Sequence, residues 1–447
     1  MLGDRGMWGR RLVALGVVSL CVVGAAVTPA VADSSIRADQ WHLDAMHAPE
    51  MWKASQGANI TVAVIDGGFK LDHPDLAGQF LPGQDFSGSA GGVGSYGDPH
   101  GTLMAGLIAG TGKANGGKGA YGLAPGAKIL PLKINNGSVG SLVSADFLDQ
   151  VGKAVDFAAS QGAKIISISQ GMNSVTATEE NVAKLNRILA SARAKGSLVF
   201  AAAGNEAQSG NPVDYPGALP NVVGIGAIDR NGTVTSESSY GPQVALVAAG
   251  MDTIGACTTP SGYCKGHGSS DATALASASA ALIWSVHPDW SPNQVLRVLI
   301  NTASRPNGGT VRTDDAGWGA VRPRIALTDP GDPGPADVSP LPADAVPLPS
   351  ASGSAAASAV PVPVESPAGV PSARPKAEVA SGSGSGALPV VAGVVAGLVL
   401  VAGVVFAVVW RRKSAVRPRV AQVSLVPPPD LPAYRPQVPP EDNPYAR

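Results

Sequence analysis

The sequence predicts an α/β fold on a mostly parallel sheet with helices on both faces, followed by one membrane-spanning helix near the C-terminus. Three observations carry this. Short, nearly continuous apolar runs alternate with longer helical runs between residues 59 and 303. Strands buried on both faces read as unbroken apolar runs, and their alternation with helices is the mark of βαβ units. A Pro/Ala/Ser-rich stretch then separates this region from an uncharged apolar segment of membrane-spanning length.

Taken in order, "NITVAVID" (59–66) is a buried strand and "HGTLMAGLIAG" (100–110) a helix. "AKILPLKI" (127–134) is a strand, "SADFLDQVGKAVDFAAS" (144–160) an amphipathic helix and "AKIISIS" (163–169) a strand. "EENVAKLNRILASARAKG" (179–196) is a second amphipathic helix, and "SLVFAAAGN" (197–205) a strand. "GSSDATALASASAALIWS" (268–285) is a helix of small residues suited to a core, and "SPNQVLRVLINTA" has Ser291 as N-cap and Pro292 at the first helical position. No internal repeat is evident.

The ends are of a different kind. Residues 1–32 have Arg5, Arg10 and Arg11, then an apolar run, then Ala30-Val31-Ala32, the order of a secretory signal peptide cleaved after Ala32. Residues 33–328 form the folded part, of which 33–58 are an N-terminal extension, and 329–386 read as a linker too poor in large apolar groups to fold. Residues 387–410 carry no charge and are long enough to cross a bilayer; Arg411, Arg412 and Lys413 follow and place the 411–447 Pro-rich tail in the cytoplasm. The folded part is then extracytoplasmic at the cell membrane. Cys257 and Cys264 are the two cysteines left after the signal peptide, and in an exported chain a local disulfide is the expected state. A net charge of −1 gives no basic excess for nucleic acid.

In a parallel sheet, function collects at the carboxyl ends of the strands. Asp66 ends the first strand, His100 opens the helix after a Gly-rich loop, Asn205 follows another strand, and Ser270 opens the small-residue helix. A serine hydroxyl becomes a useful nucleophile when an imidazole takes its proton and a carboxylate orients the imidazole. Of six histidines, His100 alone has this company. His73, in "LDHPDLAG", reads as structural, and His267 faces either the cleft or solvent.

"VAVIDGG", "HGTLMAG", "AAAGNE" and "GSSDATA", in that order, resemble the four signature blocks of subtilisin-like serine proteases. The resemblance extends over nearly all of residues 40–327 and implies a three-layer subtilisin-like fold. It implies an endopeptidase acting through an acyl-enzyme, with Asp66 orienting, His100 as general base and acid, Ser270 as nucleophile and Asn205 in the oxyanion hole. It further implies that Ser169, Gln170 and Gly171 form one wall of the pocket for the P1 residue. The signal peptide, short extension, linker and membrane helix together resemble mycosins, the membrane-anchored subtilases of type VII secretion systems. The partners so implied are a protein or peptide substrate, the membrane, and secretion-system membrane components. The alternative role is structural, within a secretion complex that does not need the cleavage.

Four positions depart from the common family pattern. Gly67 stands where a hydroxyl residue is usual, Ser269 where threonine is, Ala274 where proline is common and Leu103 where a second histidine is frequent. Asp271 reads as a first-turn acid; a sharper reading puts it beside the leaving-group side of the cleft. No cofactor and no metal are expected, and Asp72 and Asp75 read as helix caps. An α/β-hydrolase esterase is excluded by the order of the triad and the lack of a Gly-x-Ser-x-Gly elbow.

Overall fold

A computed structural model of the protein describes residues 35–135, 146–305, 308–309 and 311–342. The expected signal peptide and the 387–410 span lie outside the described residues. Among the described residues, no helix is long and apolar enough to cross a membrane.

Seven strands form the central sheet: β1 (Thr61–Asp66), β2 (Gln84–Asp85), β3 (Lys128–Lys133), β4 (Ile165–Ile168), β6 (Leu198–Ala202), β8 (Val222–Ile228) and β9 (Val244–Ala249). Their order is β2-β3-β1-β4-β6-β8-β9, and every neighbouring pair is parallel. The order runs one way from β1 through β3 and the other way from β4 onward, so a crevice opens at the carboxyl ends of β1 and β4. Two short antiparallel pairs stand apart: β5 (Met172–Asn173) with β7 (Asp214–Tyr215), and β10 (Thr253–Ala256) with β11 (Tyr263–Gly266).

Side chains alternate between the two faces, which is why the strands read as continuous apolar runs. Val62, Val64, Ile129, Ile165, Leu198 and Phe200 point into one core, with the helices His100–Ala109 and Ser269–Val286. Ala63, Ile65, Leu130, Ile166, Ile168 and Val199 point into the other, with the helices Phe147–Ser160 and Glu179–Ala194. The result is three layers. The helix Ser269–Val286 is buried from Ser269 through Trp284, and its alanines and serines let it run close against the sheet. Ser291 caps the helix Pro292–Asn301 with a full capping box, as its sequence predicts.

The start of the expected linker, residues 329–342, falls within the described residues. Residues 333–338 lie along the helix Pro292–Asn301, where Arg297 donates to the carbonyls of Pro333, Pro335 and Val338 and Asn293 to that of Ala336. A proline-rich chain has unspent carbonyls, and these side chains take them up.

The extension docks as short helices (Ile36–Asp39, Trp41–Ala45, Ala48–Met51) on the flank of the domain. Gln40 donates to the carbonyls of Tyr121 and Ile254, Trp52 to that of Leu123 and Ser55 to that of Leu282. His42, in this segment, is fully buried, and neither ring nitrogen has a partner among the described residues. Burial, with the Arg37 charge adding, pushes its pKa down from 6.5 to about 3. The unfolded chain therefore takes up a proton below pH 6.5 that the folded chain refuses until about pH 3. Stability from neutral His42 is full above pH 6.5 and is lost as pH falls through that window. At about 1.4 kcal/mol per unit, His42→Leu is expected to be spared about 3 kcal/mol of acid destabilisation at about pH 4. Urea midpoints of the two proteins against pH check this, and parallel curves would refute it.

Cys257 and Cys264 are joined in a disulfide across the turn between β10 and β11, seven residues apart. The loop-entropy argument gives a bridge of this span about 2 to 3 kcal/mol. Reduction is expected to lower the urea-derived stability by that amount. Asp75 is not the cap of the short helix Pro74–Leu76 in which it lies: its carboxylate accepts from the backbone N–H groups of Ala114 and Ala120 and from the Tyr263 hydroxyl, pinning the 111–121 loop to this hairpin. His73 does the capping, its Nδ1 accepting from Asp75 N while Nε2 meets the Gly262 carbonyl.

Candidate active site

Asp66 is the last residue of β1 and fully buried; His100 is the first residue of its helix, with 29% of its side chain exposed. His100 Nδ1 lies 2.8 Å from Asp66 Oδ2 and 3.0 Å from Oδ1. The helix can start this close because position 101 is glycine: a Cβ there would sit 2.4 Å from the Gly68 carbonyl and 3.1 Å from Asp66 Oδ1. Gly67, which has no hydroxyl to offer, holds the carboxylate with its backbone N–H, 2.7 Å from Oδ1. Burial opposes charge on His100, but the charge and hydrogen bond of Asp66 outweigh it, with Asp271 and Asp98 adding. The imidazole pKa is raised to about 9.

Ser270 lies in the first turn of its helix, 8% exposed. Its Oγ donates to the Ser169 carbonyl, and Ser169 Oγ donates to the Ser270 carbonyl, both at 3.0 Å. This reciprocal clasp ties the end of β4 to the head of the helix. The next residue, Gln170, turns its amide to the acid and base: Nε2 donates to Asp66 Oδ1 at 3.3 Å and lies 3.1 Å from His100 Nδ1. Residues 169 and 170 thus meet Ser270 on one side and the Asp66–His100 pair on the other. Gln170, expected at the pocket wall, thus also reaches the carboxylate of the acid–base pair.

Asn205 follows β6. Its Oδ1 accepts from the backbone N–H of Ser269 at 2.8 Å and from Ser269 Oγ at 3.0 Å, so it caps the Ser270 helix from outside. The amide oxygen is thereby committed, which leaves the N–H groups as what Asn205 offers elsewhere. Gly268 (φ 99°) makes this approach possible, since a Cβ there would sit 2.8 Å from Asn205 Nδ2.

Two acids that sequence reasoning missed lie behind this turn. Asp214 sits under Gly171, 3.7 Å from where a Cβ would be, and close to Gly204 and Glu206. Burial, then the hydrogen bond and charge of Glu206, push Asp214 up to about 8, while Glu206 accepts from the Asn205 N–H at 2.7 Å. Glu206 stands beside Asn205 in "AAAGNE", but nothing local connects it to Asp214.

Asp271 is 1% exposed and accepts from Thr253 Oγ1, so it has no surface to offer a leaving group. The sharper reading of Asp271 is removed; it acts from within, as one of the charges that raise His100. Burial, against the bond from Thr253 and the nearby histidines, raises its own pKa to about 6. His267 is solvent-facing and pairs with Glu237.

A parallel sheet with an aspartate ending β1, a histidine opening the following helix and a serine opening a buried helix defines the subtilisin type of serine protease fold. The chain belongs to the subtilase family, whose profile matches residues 57–319. It is 33% identical over 264 residues to thermitase of Thermoactinomyces vulgaris, covering 59% of this chain and 88% of thermitase. It is also 33% identical over 304 residues to halolysin of Haloferax mediterranei, covering 64% of this chain but 53% of halolysin, so the chain spans about half of that relative. Among solved structures it resembles MycP1 from Mycobacterium smegmatis, with 27% identity and a TM-score of 0.58, covering 69% of this chain and 89% of MycP1. It also resembles the MycP3 protease from the type VII (ESX-3) secretion system, with 28% identity and a TM-score of 0.56, covering 65% of this chain and 88% of MycP3.

Proposed function

We propose that this chain is a membrane-anchored, extracytoplasmic serine endopeptidase that works beside a type VII secretion machine. The observation that carries the chemistry is the buried Asp66 paired with His100 at the end of β1, beside the end of the neighbouring β4 where the Ser169–Ser270 clasp closes. Support for the setting comes from the signal-peptide pattern of residues 1–32, the apolar 387–410 segment and the likeness to MycP1 and MycP3.

In this reading a peptide enters over residues 169–171 and its carbonyl carbon faces Ser270. The hydroxyl leaves the Ser169 carbonyl and turns to His100, since catalytic hydrogen bonds of free enzymes often close only with substrate bound. His100 takes the proton as Oγ bonds to the carbonyl carbon. Asp66 fixes the tautomer with the proton on Nδ1 and stabilises the imidazolium. The charge on the carbonyl oxygen falls to the Asn205 amide and the Ser270 backbone N–H, at the positive end of the buried helix. His100 then gives its proton to the departing amine, leaving an acyl-enzyme. Water attacks the ester by the same route in reverse, returning the proton to Ser270.

A fluorophosphonate probe is expected to label the full-length chain on Ser270, as read by peptide mapping, and a folded chain that stays unlabelled would overturn the proposal. Comparison of the secreted proteins of cells carrying the native chain and Ser270→Ala tests the role. Loss of processed products supports proteolysis, and full rescue of secretion supports a structural part in the complex.

A further inference from the structure

We infer that Gln170 is a positioning residue for the acid–base pair, holding Asp66 through its side-chain amide in place of a hydroxyl that residue 67 cannot supply. This rests on the proposed serine-protease reading of the same site. Asp66 has no exposure, so water does not solvate its carboxylate, and its lone pairs depend on protein donors. The donors are His100 Nδ1 to Oδ2, Gly67 N to Oδ1 and Gln170 Nε2 to Oδ1, the last at 3.3 Å.

Gln170 is well placed for this work because its backbone is fixed on both sides. Ser169 before it is clasped to Ser270, and Met172 after it pairs with Tyr215 in the β5–β7 ladder. One residue thus links the segment nearest Ser270 to the carboxylate that orients His100. With its nitrogen toward Asp66 the amide donates to Oδ1, where its oxygen would meet another acceptor; the 3.1 Å approach of the same nitrogen to His100 Nδ1, itself a donor to Asp66, is a packing contact and not a hydrogen bond.

The donor acts in two ways. It fixes the rotation of the carboxylate, and with it the imidazole plane. It also draws charge from Oδ1, so the carboxylate stabilises the imidazolium less than a bare one would. The charged groups acting on His100 are Asp66 from β1, Asp271 from the Ser270 helix and Asp98 from the preceding loop. Removing the Gln170 donor strengthens the first and leaves the other two unchanged.

The test is steady-state kinetics of the full-length chain on a fluorogenic peptide that it cleaves. Gln170→Met, close in volume but without a donor, is expected to lower kcat about tenfold with KM changed less than about twofold. The acidic limb of kcat/KM is expected to move to higher pH, a shift that a merely structural role for Gln170 would not produce. Adding Gly67→Ser, a hydroxyl beside the same carboxylate, is expected to restore at least half of the lost kcat on a logarithmic scale. If Gln170→Met melts early, Gln170→Asn, which keeps the amide but is one methylene short, carries the same expectations. Native kcat with an unmoved acidic limb in a stably folded variant overturns the inference while leaving the protease reading intact. A native chain that neither cleaves peptides nor takes the fluorophosphonate probe overturns both.

Discussion

Asp66→Asn is expected to lower kcat/KM by about 10⁴-fold while leaving the fold in place. The substitution keeps the size and shape of a fully buried side chain, and the backbone N–H of Gly67 still finds an oxygen to donate to. What changes is the face presented to His100 Nδ1, which lies 2.8 Å away. A neutral amide gives no charge to stabilise an imidazolium, and with its nitrogen toward the ring it favours the tautomer whose proton sits on the wrong nitrogen. The pH dependence separates this from a simple change in titration. In the native chain His100 has its pKa raised to about 9, so the reactive neutral form grows as pH rises and kcat/KM climbs along a limb above pH 6.5. Without the Asp66 charge, burial dominates and the limb falls to lower pH. At neutral pH a larger fraction of His100 is then neutral, yet the rate is lower. A pH profile in which Asp66→Asn stays slow at every pH, with its limb moved down, is the expected result. Recovery of the native rate at any pH would show that Asp66 acts through titration alone.

The parts of this arrangement that the sequence displays are those where one residue both ends an apolar run and carries a reacting group. β1 is buried on both faces, so its apolar run stops abruptly at Asp66, and the same holds for Asn205 after β6. Gly101 is readable as a close approach because it follows His100 at a helix start. β8 and β9 are harder to see: glycines and alanines interrupt them, and these residues have little strand preference of their own. Contacts made at long range leave no local trace. Asp214 sits under Gly171 because β7 pairs with β5, and Asp271 is held inside the domain where Thr253 of β10 reaches it. Gln170 is the instructive case. Its place in "IISISQG" points to the substrate wall, and nothing local shows that its amide also reaches a buried carboxylate one strand away.

Asn205→Asp is expected to lower kcat by about 100- to 1,000-fold or more, with thermal stability held or slightly raised. The two ends of the Asn205 side chain have different work. Oδ1 accepts from Ser269 N and Oγ, fixing the first turn of the Ser270 helix, while the nitrogen end is the one free to donate to a developing oxyanion. Aspartate keeps the first and removes the second. It also places a negative charge at a helix N-terminus, which favours the folded chain but repels the charge that forms on the substrate carbonyl. Asn205→Ala removes both functions at once: catalysis falls by a similar factor, and loss of the cap lowers stability by about 1 kcal/mol. Thermal melting and single-turnover acylation of the two variants therefore give a two-way separation. If Asn205 were only a helix cap, Asn205→Asp would acylate at close to the native rate. A drop in acylation with an undiminished melting temperature assigns the loss to the missing N–H donor and the added negative charge.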